Sequence, residues 1–354
     1  VALHGVDGIL LSGSKDNIRW ETTAINPTKG TFTLLIRRGD DTIKRKQILE
    51  TWNADCLPEA MKVLKITILA GVLIAMTTSI WAENLKLNLR SQGKDVADVR
   101  GKTERVTWKP EKTAIIICDM WDDHWCKSAS RRVGEMAPAL NAMLKAARAK
   151  GIFIIHAPSS VVDFYKDTPQ RNLAQKAPFA KAPIKLSTSP RWGTAWCWTD
   201  GRREGVLPID DSDMGCSCKG EKCEIREAWK RQNKLIDMVK GDALTDNGQE
   251  TYNLLAERQI DNVILCGVHL NMCVLGRPFA IRQMVKLGKN VALMRDMTDT
   301  MYNPERPPGV DHFTGTDLVI EHVEKFWCPS FTSTDITGKE AFRFKEDKRK
   351  KSRK

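Results

Sequence analysis

Three side chains able to do chemistry stand where apolar runs end or helical patterns begin. Asp119 follows "TAIIIC", Lys240 closes "KLIDMVK", and Cys273 follows the run and turn of "VILCGVHLNMCV". An acid, an amine and a thiol brought together can attack a carbonyl. The thiol is the nucleophile, the acid takes its proton, and the ammonium holds the charged pair. Cys273 opens a helical pattern, where unpaired N–H groups favour a thiolate. Cys266 lies inside an apolar strand pattern and reads as core. Backbone N–H groups of the turn containing Val268, His269 and Met272 could bind the oxyanion formed on attack. Lys234 is the alternative to Lys240, although it opens its run instead of closing it.

These residues need a frame that gathers strand ends. Continuous apolar runs predict buried strands at 113–119, 152–158, 234–240, 262–268, 290–296 and 329–334. Between them, helical periodicity predicts helices at 134–150, 247–259, 272–288 and 315–326. Such alternation implies right-handed crossovers and a doubly wound parallel sheet, with ligands bound at the carboxyl ends of its strands. The stretch at about 159–233 is too long for an ordinary connection and reads as a Cys- and Trp-rich insertion. Trp121, Trp125, Trp192, Trp196 and Trp198 are expected mainly to pack this insertion on the domain. Cys216, Cys218 and Cys223, in "GCSCKGEKC", form a C-x-C-x4-C pattern without a neighbouring histidine. That pattern favours local disulfides over a metal.

The motifs "IIICDMWDDHWC", "VKGDALTDNGQETYNLL", "ILCGVHLNMCV" and "NVALMRDMTDT" resemble those of the isochorismatase-like cysteine hydrolases. The resemblance covers residues 112–335. It implies a three-layer α/β/α fold, Rossmann-like, around a six-stranded parallel sheet of order 3-2-1-4-5-6. It implies a catalytic triad of Asp119, Lys240 and Cys273, and a non-proline cis peptide at Val268–His269. The implied reaction is cleavage of a C–N bond in a small amide or ureido compound through a Cys273 thioester, with no cofactor and no metal. His156 stands alone where nicotinamidases carry a metal-binding Asp-x-His pattern, so that branch is disfavoured. Two alternatives remain: vinyl-ether hydrolysis by Asp119 without the thiol, and a non-catalytic binding protein on the same fold. The family also implies a homo-oligomer.

Charge and composition set the wider context. The chain has 354 residues, 42% hydrophobic and 28% charged, and a formal charge of +12. Residues 1–60 carry eight basic and eight acidic side chains, whereas the last ten residues carry seven basic and two acidic. With no zinc-finger, RRM or helix-turn-helix signature, no specific nucleic-acid partner is expected. Residues 61–82, "MKVLKITILAGVLIAMTTSIWA", have the charged, apolar and small-residue order of a signal peptide. The expected organisation is therefore an over-extended start or unstructured extension at 1–60 and a signal peptide at 61–82. A lead-in segment at 83–111, the hydrolase domain at 112–335 and a basic tail at 336–354 follow. The expected location is periplasmic or extracellular, with anchoring through 61–82 as the alternative; membrane contact is expected only through that segment if it is retained.

Overall fold

The structure is a computed structural model that describes residues 18–26, 31–38, 48–54, 83–93, 101–199, 201–220 and 223–350. The chain divides into two compact units, Val1–Ile80 and Trp81–Lys354. In the first, β1 (Ile18–Asn26), β2 (Thr31–Arg38) and β3 (Ile48–Ala54) form an antiparallel sheet, in a stretch whose sequence shows no sustained period. The signal-like segment 61–82 lies outside the described residues. Among the described residues no helix is long and apolar enough to cross a membrane.

The second unit begins with β4 (Leu85–Ser91) and β5 (Lys102–Trp108), an antiparallel pair. Leu85, Leu87 and Leu89 of β4 alternate into the core, as the two-residue period of a strand requires. The central strand is β6 (Thr113–Cys118), buried at every position. It leads to α1 (Lys127–Ala149) and β7 (Phe153–Ala157). Then come α2 (Pro169–Lys176), the two-residue strands β8 (Pro190–Arg191) and β9 (Thr194–Ala195), and β10 (Ala243–Leu244). The chain continues through α3 (Gly248–Glu257), β11 (Asn262–Val268), α4 (Cys273–Gly276), α5 (Ile281–Lys286) and β12 (Asn290–Asp299). It ends with α6 (His312–Phe326), β13 (Ser330–Phe331) and α7 (Thr334–Thr337). Alternate side chains of β6 feed two cores. Ala114 and Ile116 pack with Leu254 of α3 and Val319 of α6, and Ile115 and Ile117 with Leu140 and Leu144 of α1.

The expected six-stranded, all-parallel sheet of order 3-2-1-4-5-6 is corrected. The sheet has eight strands in the order β10-β7-β6-β11-β12-β13-β4-β5 and is mixed, because β4 pairs antiparallel with both β13 and β5. Residues 83–111, read as a lead-in, supply that extension through β4 and β5. The expected strand at 234–240 is absent. Leu235 and Val239 are exposed there, and the edge position beside β7 is taken by the two residues of β10. The expected helix at 272–288 is broken into α4 and α5. Pro278 restricts Arg277 to an extended conformation (φ −62°, ψ 156°), which ends α4 after one turn.

One further expectation changes. The nine described cysteines are all free, so the expected disulfides are not formed among them. The basic tail packs on the domain up to residue 350. Phe344 stacks on Phe313 with ring centres 5.5 Å apart, and Arg349 pairs with Asp347 and Asp317. Aromatic contacts at Phe342 and Phe344 hold down a segment that charge alone would leave solvated.

Candidate active site

Asp119 follows the last residue of β6 and has a left-handed backbone, φ 47°, a conformation that aspartate tolerates better than most residues. Its side chain is fully buried and accepts two hydrogen bonds. The Ser159 N–H donates to Oδ1 at 2.8 Å, and Arg277 Nε–H to Oδ2 at 3.2 Å. Cys273 opens α4 just beyond β11, the strand beside β6. The charges of the Asp119 carboxylate and the Arg277 guanidinium both act on its thiol. Burial raises the thiol pKa well above the ordinary value; Arg277 opposes that shift and Asp119 adds to it. The expectation of a thiolate favoured by a helix start is thereby corrected. α4 has only four residues, too short for a strong end field, and desolvation outweighs it.

Lys240 is not part of this cluster, and among the described residues no Asp–Lys–Cys triad forms. Because β10 runs parallel to β7 and begins only at Ala243, residue 240 falls at the amino end of the sheet. Lys240 is exposed there, in a recess with Glu111, Gly151 and Phe153. Lys234 is also exposed and contributes nothing to the site. The carboxyl end of β10 delivers Asp246 instead, whose Oδ2 accepts the Ser160 N–H at 2.9 Å. Burial raises the Asp246 pKa, and Asp119 nearby pushes it the same way.

The cation beside the acid and thiol is Arg277, which the sequence reading missed. It is only 1% exposed. Its Nη1–H groups donate to the Arg191 and Trp192 carbonyls at 3.2 and 3.0 Å and to Thr194 Oγ1. Burial works against its charge, but Cys273 and Asp119 outweigh that and hold it protonated. The signal was present: Arg277 lies four residues after Cys273, the spacing that puts two helical side chains on one face.

The turn between β11 and α4 holds the other expected residues. The Val268–His269 peptide is cis. Leu270 N–H donates to the Asp299 carbonyl, and both Met272 and Val274 N–H donate to the His269 carbonyl. Met272 therefore cannot offer its N–H to a substrate without losing that bond. The Cys273 N–H has no acceptor among the described residues. His269 is 2% exposed, and its Nε2 has no protein partner. Burial holds its pKa well below the ordinary histidine value. His124 packs edge-on against it, ring centres 5.1 Å apart, and burial lowers the His124 pKa to about 4. Both rings are accordingly neutral near pH 7.

Cys273, Arg277, His269 and Asp246 open on a cavity of about 590 Å³. Trp121, Trp125, Trp192 and Trp229 form much of its wall, with Trp121 and Trp229 stacked at 4.2 Å and nearly parallel. Three of the tryptophans expected mainly to pack the insertion thus face the cavity. Trp196 does pack: it lies against Gly276, where a Cβ would stand inside its ring. Trp229 and His124 were not foreseen as wall residues.

Other polar side chains are occupied elsewhere. His312 Nε2–H and Arg132 Nε–H both donate to Asp299, at 2.9 and 2.7 Å, and Arg306 pairs with Asp210. His156 is held between Gln232 and Asp242. Asp123 pairs with Lys127.

No family model and no curated protein matches the sequence. Solved structures do resemble it. A cysteine hydrolase from Pseudomonas syringae pv. phaseolicola is 15% identical, covering 65% of this chain and 92% of its own, with a TM-score of 0.38. An isochorismatase family protein from Burkholderia thailandensis is 12% identical over 64% of this chain and 95% of its own, TM-score 0.38. An isochorismatase from Pseudomonas putida is 11% identical over 64% and 91%, TM-score 0.38.

Proposed function

We propose that the protein is an isochorismatase-like cysteine hydrolase that cleaves a C–N bond of a small, flat, largely neutral amide or ureido compound. The meeting of Cys273 and Arg277 on one aromatic-walled cavity, with Asp119 bonded to Arg277 behind them, carries the reading. Cys273 Sγ attacks the carbonyl carbon as Asp119 takes the thiol proton, so charge is created only when substrate is present. Arg277 offsets the charge of Asp119 in the resting site. The Cys273 N–H supports the oxyanion, and His269 Nε2 is available to orient a polar group of the substrate. Asp119 returns the proton to the leaving nitrogen as the C–N bond breaks, leaving a thioester. Water, activated by Asp119, then hydrolyses the thioester and restores the thiol. The stacked indoles favour a planar substrate with little charge. The exported setting suggested by residues 61–82 and an oligomeric state are parts of this reading.

One observation favours a second reading. Burial raises the pKa of the Cys273 thiol, and Asp246 is a second carboxyl group on the cavity beside the buried Asp119, so vinyl-ether hydrolysis by a carboxyl group without the thiol is the second reading. The test is an amide and ureide screen on the full chain, with trapping of the acyl-enzyme by mass spectrometry. The expected result is turnover with an adduct on Cys273, lost by a factor of about 10² or more in Cys273→Ala and kept in Cys266→Ala. Turnover that survives Cys273→Ser would replace the thioester scheme with the acid-only one. No turnover of amides, ureides or vinyl ethers would leave a binding role.

A further inference from the structure

The disulfides expected in the insertion are absent, yet its cysteines are not scattered. Cys216 and Cys218 converge on Cys126, the residue before α1 in the loop after β6, and Cys223 lies against Cys218. The sulfur of Cys216 is 2.8 Å from that of Cys126; that of Cys218 is 3.9 Å from Cys126 and 3.3 Å from Cys223. The sulfurs of Cys126, Cys216 and Cys218 all lie within 4.8 Å of one another. A tetrahedral zinc ion with Zn–S bonds of about 2.3 Å spaces its thiolates about 3.8 Å apart. Cys126, Cys216 and Cys218 form a cluster of that size, and Cys223 lies against Cys218 as the fourth candidate ligand.

The surroundings suit bound thiolates. Ser128 N–H donates to Cys218 Sγ at 3.2 Å, and the Ser128 hydroxyl lies 3.2 Å from Cys126 Sγ. Such donors to a ligating sulfur reduce its charge and fix its direction. Cys126 is fully buried, so the ion would sit inside the seam between the domain and its insertion. Four sulfur ligands without carboxylate or imidazole select a soft or borderline ion over magnesium or calcium.

The geometry points to a structural zinc-type site formed by Cys126, Cys216, Cys218 and Cys223. Four ligands close the coordination sphere and leave no open position for substrate or water, so the ion would take no part in hydrolysis. Its effect would be on the cavity wall. Trp121 and Trp125 precede Cys126, while Met214, Ile225 and Trp229 flank the other three ligands. One ion would thus pin together two segments that both contribute to the cavity wall.

The first measurement is metal content of the full chain, purified without chelator, by plasma mass spectrometry. One zinc per chain is expected. After zinc removal, cobalt should restore one ion per chain, with thiolate-to-cobalt bands in the near ultraviolet and the intense visible bands of tetrahedral cobalt. Cys218→Ser should lose most of the metal, whereas Cys328→Ser, remote from the cluster, should keep it. The wild-type metal count and cobalt spectrum stand even if a variant fails to fold. A chain that lacks metal as purified and takes up neither zinc nor cobalt after reduction would overturn the site. So would non-reducing peptide mapping that finds these four cysteines joined as disulfides.

Discussion

Arg277 is the residue on which the site turns. Its guanidinium lies between Asp119 and the thiol on one side and three oxygens of residues 191–194 on the other. Removing a buried charge while leaving its partner behind costs about 3–5 kcal/mol. Arg277→Met should therefore lower urea stability by that order and abolish turnover. Arg277→Lys should keep more stability than activity, because an ammonium cannot reproduce the fork. Equal stability of Arg277→Met and the parent would show that Asp119 is not relying on this cation. Cys273 makes a second prediction. With its pKa raised by burial, iodoacetamide labelling at this position should climb only above the pH at which a free thiol, with a pKa of about 8.5, ionises. A labelling midpoint below neutrality would mean a preformed thiolate. Asp119 and Cys273 were legible in the sequence because a strand end and a helix start are marked by local pattern. Lys240 misled because "KLIDMVK" has the composition of a strand, yet nothing in it records that pairing with β7 begins only at Ala243.

At the scale of elements, the one-turn helix α4 couples packing to chemistry. Gly276 lets the Trp196 ring rest on the helix backbone, and Cys197 N–H donates to the Gly276 carbonyl at 2.7 Å. Gly276→Ala should cost about 1–3 kcal/mol by overpacking, read as a lower melting temperature. An unchanged melting temperature would mean that Trp196 moves aside freely. Pro278 explains why the predicted helix at 272–288 is two short ones, and the pre-proline rule made the break readable at Arg277. The β4–β5 extension was not readable as part of the sheet. Its alternation of leucines marks a strand, but sequence pattern does not say which edge a strand joins. The insertion is tied down again by Glu204, which accepts from Arg282 Nε–H and Nη2–H, each at 2.8 Å, and pairs with His322. These contacts join residues 78 and 118 positions apart, a pairing that local periodicity does not encode.

At the scale of the whole molecule, four buried thiols set an alkaline limit. Burial raises the pKa of Cys118, Cys266, Cys273 and Cys328 above the ordinary value. Above pH ~8.5 the unfolded chain releases these protons and the folded chain retains them. The folded state then binds more protons, so stability falls as pH rises, by about 1.4 kcal/mol per pH unit for each such thiol. Urea midpoints measured with reductant present should drop steadily from pH 8 to pH 10. A flat profile would mean that these thiols ionise as readily in the fold as outside it. Glu204 works at the other end. Burial opposes its charge, but His322 and Arg282 bring its pKa down to about 2, so its contribution is lost as pH falls from the ordinary carboxylate range toward that value.

The three oxygens that Arg277 holds belong to the insertion, whereas the carboxylate it faces belongs to the central sheet. A loop-grafting experiment that exchanged residues 159–233 for a foreign loop, in search of a new substrate range, would strip that guanidinium of three of its four hydrogen-bond acceptors. The graft would have to reproduce the carbonyls of residues 191 and 192 and the hydroxyl of Thr194, or it would change the acid along with the specificity.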